Sequence, residues 1–301
     1  MSILYHFAAL ACLLALLVWP PSSMASEILL AASNDSPALR RFVADLAARR
    51  PGDRVRLVPA SELTTPSALP ADSRLVLLGA DALDWRLSDP GGPPTLVMQI
   101  SRVQAHKRLK DSQPAHLTLL WSDPSPERQL HLIRQLLPQA RRIGLLYGDD
   151  SRFLVNEVRQ HAAAQGLAIN AWFWPDTRDS RPLSRMLDES DVLLGVDDPA
   201  LFNPRTIKSV LLASYGRKQV LIGPSAAFVP AGSLSSSYSD QRDWLNSLDE
   251  LLSQPPSQWP RAAYPRYFKV LSNPQVARSL GIELSDDVDQ AGRLQHWESN
   301  K

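Results

Sequence analysis

The fold is decided by one unit of sequence, Glu27-Ile-Leu-Leu-Ala-Ala-Ser-Asn-Asp-Ser-Pro37, and by the helix-forming residues 38–49 after it. Residues 27–32 form a short apolar run, which is typical of a buried strand. Residues 33–37 supply side chains that suit a turn and a helix cap. Apolar residues then recur three and four positions apart, at Leu39, Phe42 and Leu46, which predicts a helix with one apolar face. This order of strand, polar loop and helix favours an α/β fold.

Units of the same kind follow along the chain in two groups. The predicted strands of the first group are 27–32, 54–58, 74–79, 95–101 and 116–121, and those of the second are 142–147, 167–173, 191–196 and 219–223. Apolar strands that alternate with amphipathic helices are typical of parallel sheets covered by helices on both faces. The chain has 301 residues, more than one hydrophobic core usually fills. We therefore predict two doubly wound, Rossmann-like lobes with parallel sheets.

The amino-terminal segment has the features of a secretory leader. Residues 1–26 contain no Lys, Arg, Asp or Glu, and residues 7–18 are continuously apolar. Ser23-Met-Ala25 then supplies small residues of the kind that a signal peptidase reads. We predict a signal peptide at residues 1–25, cleavage after Ala25 and a periplasmic protein. A retained membrane anchor and lipidation of Cys12 are the alternatives. Cleavage would leave a chain without cysteine, and so without disulfides.

The overall charge excludes one class of partner. The chain has 32 Lys and Arg residues against 31 Asp and Glu residues, for a formal charge of +1. A protein that holds nucleic acid through a strong positive charge is thereby excluded. A hydrophobic content of 44% is also too high for a disordered chain. The net charge leaves the sign of a small ligand open.

Sequence motifs of catalysis and of cofactor binding are missing. Gly223-Pro-Ser-Ala-Ala227 lacks the final glycine of a Gly-x-Ser-x-Gly nucleophile elbow. Neither a Gly-x-Gly-x-x-Gly nor a Gly-x-x-x-x-Gly-Lys-Ser/Thr motif for phosphates occurs. No two histidines after residue 25 have the three- or four-residue spacing of a helical metal site. We expect a binding protein rather than an enzyme, with no cofactor and no metal.

Four segments from Pro114 onward share their order and spacing with a known protein family. They are a helix ending in Leu-Pro followed by a strand ending in Leu-Tyr (127–147), Val192-Leu-Leu-Gly-Val-Asp-Asp-Pro199, Ala231-Gly-Ser-Leu234 and the closing segment 264–281. In this order they resemble the ABC-transporter substrate-binding family that includes uncharacterised and aromatic amino-acid-type members. The resemblance covers most of the chain after Pro114 and is weaker before it.

The resemblance implies the type 1 periplasmic-binding fold, in which two lobes joined by three crossings close over a small ligand. The crossings would fall near Trp121, Ser225 and Gln254. The first lobe would then comprise residues 26–121 and 226–254, the second lobe residues 122–225 and 255–290, and residues 291–301 would form a C-terminal tail. The implied partners are a small molecule such as an amino acid and an inner-membrane ABC permease with its ATPase. We expect a monomer.

Candidate ligand-binding residues lie in the loops that follow the strands, because ligands of open parallel sheets bind outside the carboxyl ends of the strands. On the first lobe they are Ser33, Asn34, Asp35, Ser36, Gly79, Asp81, Ser101 and Arg102, and on the second lobe Tyr147, Asp150, Asp197, Asp198, Phe202, Ser225 and Phe228. Arg102 suits a ligand carboxylate. The carboxylates suit an ammonium group, and the aromatic rings suit stacking.

Six of these candidates also have a simpler interpretation. Asp35 or Ser36 would cap the helix that follows. Arg102 would be a solvated surface residue. Asp197 and Asp198 would form a turn before a proline, and Ser225 would be packed at a hinge.

The sequence therefore favours a periplasmic solute-binding protein of an ABC-type importer, which closes two lobes over a small ligand by a hinge motion. One alternative keeps this fold but assigns the protein to sensing, as an accessory that presents its ligand to a membrane receptor. A second alternative is a vestigial cleft that binds nothing.

Overall fold

The computed structural model describes residues 26–59, 62–110 and 112–300, which form two six-stranded sheets and ten α-helices. The predicted leader at residues 1–25, with Cys12 and the cleavage point after Ala25, lies outside the described residues. None of the helices in the described part of the chain is long and apolar enough to span a bilayer.

The first sheet is parallel throughout and is built mainly from the amino-terminal part of the chain. Its strands are β1 (Glu27–Ala32), β2 (Arg54–Pro59), β3 (Arg74–Leu78), β4 (Thr95–Ile100), β5 (Leu117–Trp121) and β11 (Ala262–Ala263). They lie in the order β11-β5-β4-β3-β1-β2. The helices of this lobe are α1 (Pro37–Arg49), α2 (Ala80–Leu87), α3 (Arg102–Leu109) and α8 (Gln241–Leu252).

The inner strands of the first sheet, β1, β3, β4 and β5, are mostly apolar at successive positions because both faces of the sheet are covered. Leu30 packs on one face with Phe42 and Leu46 of α1. Leu29, its neighbour in β1, packs on the opposite face with Leu83 of α2. Successive residues of a strand point to opposite faces, so a strand between two helical layers needs an apolar side chain at every position.

The second sheet repeats this arrangement and adds one antiparallel edge strand. Its strands are β6 (Arg142–Tyr147), β7 (Ala168–Phe173), β8 (Val192–Leu194), β9 (Leu221–Ile222), β10 (Ser235–Tyr238) and β12 (Lys269–Ser272), in the order β12-β10-β9-β8-β6-β7. β12 runs antiparallel to β10. The helices of this lobe are α4 (Pro126–Leu136), α5 (Leu154–Ala164), α6 (Arg181–Asp188), α7 (Ile207–Tyr215), α9 (Pro274–Leu280) and α10 (Asp287–Ser299).

The chain passes between the two sheets after Trp121, after Tyr238 and after Ala263. The second and third passages lie further along the chain than Ser225 and Gln254, where the sequence places them. Residues 226–254 are therefore divided between the lobes, because β10 belongs to the second sheet and α8 packs on the first.

Buried polar contacts explain why β10 stays in the second sheet. Ser235, Ser236 and Ser237 are all 0% exposed. Gln129 of α4 reaches this strand: its amide nitrogen donates to the carbonyl of Gly223 at 3.0 Å, and its amide oxygen accepts from the backbone N–H of Ser237 at 3.0 Å. The small serine side chains leave room for this helix and its glutamine, which satisfies groups that burial would otherwise leave unpaired.

Two further boundaries also differ from the sequence-based expectation. Ala262 and Ala263 pair with β5 in the first sheet, although residues 255–290 were assigned to the second lobe as a whole. Residues 291–299 complete α10 instead of forming a tail. Leu294 of α10 is 0% exposed in the core of the second lobe, and Glu298 accepts a hydrogen bond from Arg128 of α4 at 2.8 Å. A helix with a buried leucine and a buried ion-pair partner is part of the lobe.

Substitution of Gln129 tests whether its hydrogen bonds stabilise β10 in the second sheet. Gln129→Ala leaves the backbone N–H of Ser237 and the carbonyl of Gly223 without their glutamine partner, so we expect a loss of about 2–4 kcal/mol in the free energy of unfolding. Urea denaturation measures this loss. Arg134→Ala, an exposed position on the same helix, serves as the control and should change stability by less than about 0.5 kcal/mol. Equal effects of the two substitutions would contradict this account.

Candidate functional site

A cleft of ≈ 770 Å³ lies at the carboxyl ends of β1, β3 and β4 in the first lobe. Its walls come from the loops after these strands, from α1, α2 and α3, and from the segment that leads into α8. The residues that line it are Ala32, Ser33, Asn34, Ser36, Ala38, Leu39, Phe42, Leu78, Gly79, Ala80, Asp81, Gln99, Gln104, Ser239, Gln241 and Trp244. A cleft of this size at this edge of a parallel sheet suits a small-molecule ligand.

The loop after β1 contributes three of the four residues predicted there. Ser33, Asn34 and Ser36 line the cleft. Ser36 also caps α1, because its hydroxyl accepts the backbone N–H of Leu39 at 3.1 Å. Asp35 does not line the cleft; its carboxylate accepts from the guanidinium of exposed Arg40 at 2.9 Å.

The loop after β3 contributes both of its predicted residues. Gly79 has a φ of +91°, a conformation that favours glycine, and it turns the chain from the strand into α2. Asp81 lies in the first turn of α2, where the helix dipole favours a negative charge. Its side chain is exposed in the cleft.

Other lining residues are missed by the sequence reasoning. Gln99 is the penultimate residue of β4, where it has a φ of +55° and the pairing register with β5 shifts. A non-glycine residue in this region is strained, and such strain concentrates at functional sites. Its signal in the sequence is a lone polar residue inside an apolar run. Ser239, Gln241 and Trp244 carry no comparable signal, since they reach the cleft only through the docking of α8.

Ser101 and Arg102 begin α3 and face the second lobe. Ser101 is 1% exposed and caps α3, in a reciprocal arrangement with Gln104. The Arg102 guanidinium donates to both carboxylate oxygens of Glu157 in α5, each at 2.5 Å, and to the hydroxyl of Tyr264 at 3.2 Å. Arg102 is therefore an inter-lobe ion-pair residue here, which leaves it unavailable for a ligand carboxylate.

The same helix makes further contacts with the second lobe. The ammonium of Lys107 donates to Asp150 at 2.8 Å. The ring of His106 stacks on Phe153 with centroids 3.9 Å apart. We call the contacts of α3 with Asp150, Phe153 and Glu157 the α3 junction. It joins the two lobes. Asp150, a predicted ligand-binding residue, is thus an ion-pair partner of Lys107 in this junction.

Two carboxyl groups lie next to this junction, around a void of ≈ 20 Å³ lined by Asp123 and Asp197. The pKa of Asp123 is raised to about 7, mainly by burial and in smaller part by the neighbouring charge of Asp197, against the lowering effect of a hydrogen bond from the backbone N–H of Arg102. Burial also raises the pKa of Asp197, while the Ser101 hydroxyl lowers it. A raised pKa means that folding favours the protonated acid.

The remaining second-lobe candidates serve mainly in packing. Asp198 is 1% exposed and accepts a hydrogen bond from the Ser151 hydroxyl at 2.5 Å. Phe202 is 4% exposed in the lobe core and meets Phe228 edge to face, with centroids 6.4 Å apart. An internal carboxylate with its own hydrogen bonds and a core phenylalanine both stabilise the fold.

Tyr147 is the last residue of β6, whereas Ser225 lies three residues beyond the end of β9. Neither residue lines the cleft. The ring of Tyr147 packs against Phe173, with centroids 5.6 Å apart. Ser225 precedes the short 3₁₀ turn Ala226–Phe228. No group of three or more histidine, aspartate or glutamate side chains suited to a metal ion exists among the described residues.

Comparison with known proteins identifies the fold. No protein-family model matches the chain, and no curated protein matches its sequence. An ABC domain from Streptococcus pneumonia, solved in complex with L-Trp, is 19% identical with a TM-score of 0.55, over 89% of this chain and 98% of that one. A ligand-free, open substrate-binding protein with adhesive properties from Clostridium difficile is 15% identical with a TM-score of 0.65, over 87% and 97%. The predicted type 1 periplasmic-binding fold is confirmed.

The α3 junction predicts strong energetic coupling between Arg102 and Glu157. Removing either partner leaves the other half-buried without its counter-ion. The losses in the free energy of unfolding of Arg102→Ala and Glu157→Ala, added together, should therefore exceed the loss of the double variant. We expect a coupling energy of about 1–3 kcal/mol in a double-mutant cycle measured by urea denaturation. The more exposed pair Lys107 and Asp150 is the control and should give less than about 1 kcal/mol. Equal coupling in both cycles would show that Arg102 is not the main contact.

Asp123 predicts an unusual dependence of stability on pH. Its pKa is raised in the folded protein, so the native state binds more protons than the unfolded state between about pH 4 and pH 7. This contribution to stability is full below about pH 4 and is lost as the pH rises through 7. Asp123→Asn keeps an acceptor for the Arg102 N–H, which is 2.9 Å away, and removes the titrating group.

We expect Asp123→Asn to raise the free energy of unfolding by about 1–3 kcal/mol at pH 8 and to change it little at pH 5. Urea denaturation at the two pH values measures this difference. Asp72→Asn, at an exposed position, controls for the loss of one negative charge. The same pH profile in the Asp123 variant and in the unsubstituted protein would rule out Asp123 as the titrating group.

Proposed function

We propose that this protein is a solute-binding protein of the ABC-importer type, which binds a small molecule in the cleft at the carboxyl ends of β1, β3 and β4. The observation that carries the proposal is the cleft itself. It combines hydroxyl and amide side chains such as Ser33, Asn34 and Gln99 with an apolar wall that includes Trp244. Ligand sites combine apolar surface with polar groups that fix the orientation of the ligand, and this cleft has both, with polar side chains on about half of its lining.

The position of the cleft also supports closure of the lobes on binding. Ser239 lines the cleft and lies just after β10, at the second passage between the lobes. Its hydroxyl donates to the carbonyl of Tyr267 at 2.7 Å, which lies in the third passage between β11 and β12. A ligand that contacts Ser239 would touch the second passage directly and the third through this hydrogen bond. Both passages must bend in a hinge motion, so binding would be linked to the angle between the lobes.

The proposed setting is the periplasm, and the proposed partner is an inner-membrane permease with its ATPase, to which the protein delivers its ligand. The sensing alternative uses the same cleft and hinge but delivers the closed form to a membrane receptor. Adjacent permease and ATPase genes would support import, whereas an adjacent receptor or kinase gene would support sensing.

Blocking the cleft tests the proposed function. Ala38 is an exposed residue of α1 that lines the cleft, and Ala44 is exposed on the same helix outside it. In a screen of amino acids, including L-tryptophan, and other small metabolites, we expect a ligand that raises the melting temperature by several degrees. Ala38→Trp should abolish that rise because the indole fills the cleft, and Ala44→Trp should retain it.

Two results would contradict the proposal. One is a broad screen in which no compound stabilises the protein while some substrate is turned over. The other is a ligand whose effect on the melting temperature is the same in both tryptophan variants, which would place binding outside this cleft.

A further inference from the structure

We propose that the ligand of this cleft carries a positive charge, as an amine or another organic cation, and that Asp81 binds it. This inference rests on the proposed function and specifies the chemical class of the ligand. It differs from the expectation that Arg102 receives a ligand carboxylate.

The charge on the residues that line the cleft is negative only. Among the described residues that line the cleft, Asp81 is the charged one, and the others are neutral. Its side chain is exposed, and it forms no ion pair within the described part of the chain. A carboxylate in a concave site without a cationic neighbour attracts a positive ligand and repels a negative one.

Three cationic side chains on helices that line the cleft already have carboxylate partners. Arg102 donates two hydrogen bonds to Glu157. Lys107 is 2.8 Å from Asp150, and Arg40 pairs with Asp35 outside the cleft. A ligand carboxylate that used one of these three residues would have to break its ion pair and leave a protein carboxylate unpaired.

The helix ends at the cleft also disfavour an anion. α1 begins with Pro37, which has no N–H, and the N–H of Leu39 is taken by the Ser36 hydroxyl. The first turn of α2 carries Asp81 itself. The positive end of the α2 dipole is thus already matched by a negative side chain.

The neutral part of the lining suits an organic cation. Leu39, Phe42 and Trp244 form an apolar wall, against which a hydrocarbon chain or ring can pack. The side-chain carbonyls of Asn34 and Gln99 are acceptors for N–H donors of a ligand. A ligand that places an ammonium or guanidinium group at Asp81 and its apolar part against Trp244 would match both the charged and the apolar parts of the lining.

Two sets of compounds matched in size test the charge preference. The first is 1,4-diaminobutane, 1,4-butanediol and succinate, and the second is phenethylamine, 2-phenylethanol and 3-phenylpropanoate. The melting temperature is recorded for each compound, and the Kd of any that stabilises the protein is measured by titration calorimetry. We expect stabilisation by the amines, little by the alcohols and none by the carboxylates, with a Kd that weakens as salt is added.

Asp81→Asn should weaken amine binding by about tenfold or more, because it replaces a charged partner by a neutral one of the same shape. Asp81→Glu should retain the preference for amines. Asp72→Asn is the matched control: Asp72 is exposed just before β3, whereas Asp81 follows the same strand at its other end. The melting temperatures of the unliganded variants show whether each one is folded.

The outcomes separate this inference from the proposed function. Binding of carboxylates or alcohols in preference to amines overturns the cation proposal and leaves the solute-binding function standing. Amine binding with the same Kd in Asp81→Asn overturns the role of Asp81. If no compound of any charge stabilises the protein, in these sets or in the broader screen, the solute-binding function itself is contradicted.

Discussion

Burial of both faces of each parallel sheet is the constraint on which the rest of the structure depends. A strand such as β1, with Leu29 and Leu30 on opposite faces under different helices, has no position left for a polar side chain. In β1 and β3 polar residues are therefore confined to the strand ends, and the loops after these strands bring Asn34 and Asp81 to one edge of the sheet. The location of the cleft follows from the packing of the core.

The same constraint determines what the sequence alone could predict. Apolar runs identify the strands β1 to β9, and the ends of β1 and β3 identify five of the residues that line the cleft: Ser33, Asn34, Ser36, Gly79 and Asp81. β10 was assigned to the wrong lobe because its serines carry no apolar pattern, and its place depends on Gln129 more than 100 residues earlier. Trp244 was missed for a similar reason, since only the docking of α8 on α1 brings it to the cleft.

Arg102 shows why residue type and strand position do not suffice to assign a ligand contact. At the end of a strand, an arginine available to a ligand and one held in an ion pair have the same sequence signature. The difference lies in Glu157, 55 positions away on the other lobe, whose carboxylate accepts two hydrogen bonds from the guanidinium. Once Arg102 is assigned to the α3 junction, the cleft lacks a cationic side chain, and Asp81 is the charged residue that lines it.

The cleft and the α3 junction meet at the start of one helix. Gln104 lines the cleft, and its side-chain carbonyl accepts the backbone N–H of Ser101 at 3.0 Å. Ser101 in turn interacts with Asp197 of the second lobe, and the next residue is the arginine that binds Glu157. A ligand that draws Gln104 into the cleft must loosen the cap of α3, and so acts on the helix end that holds the lobes together. In the proposed function, coupling between ligand binding and the angle between the lobes would therefore need no path longer than one helical turn, because the cleft and the α3 junction both act on the start of α3.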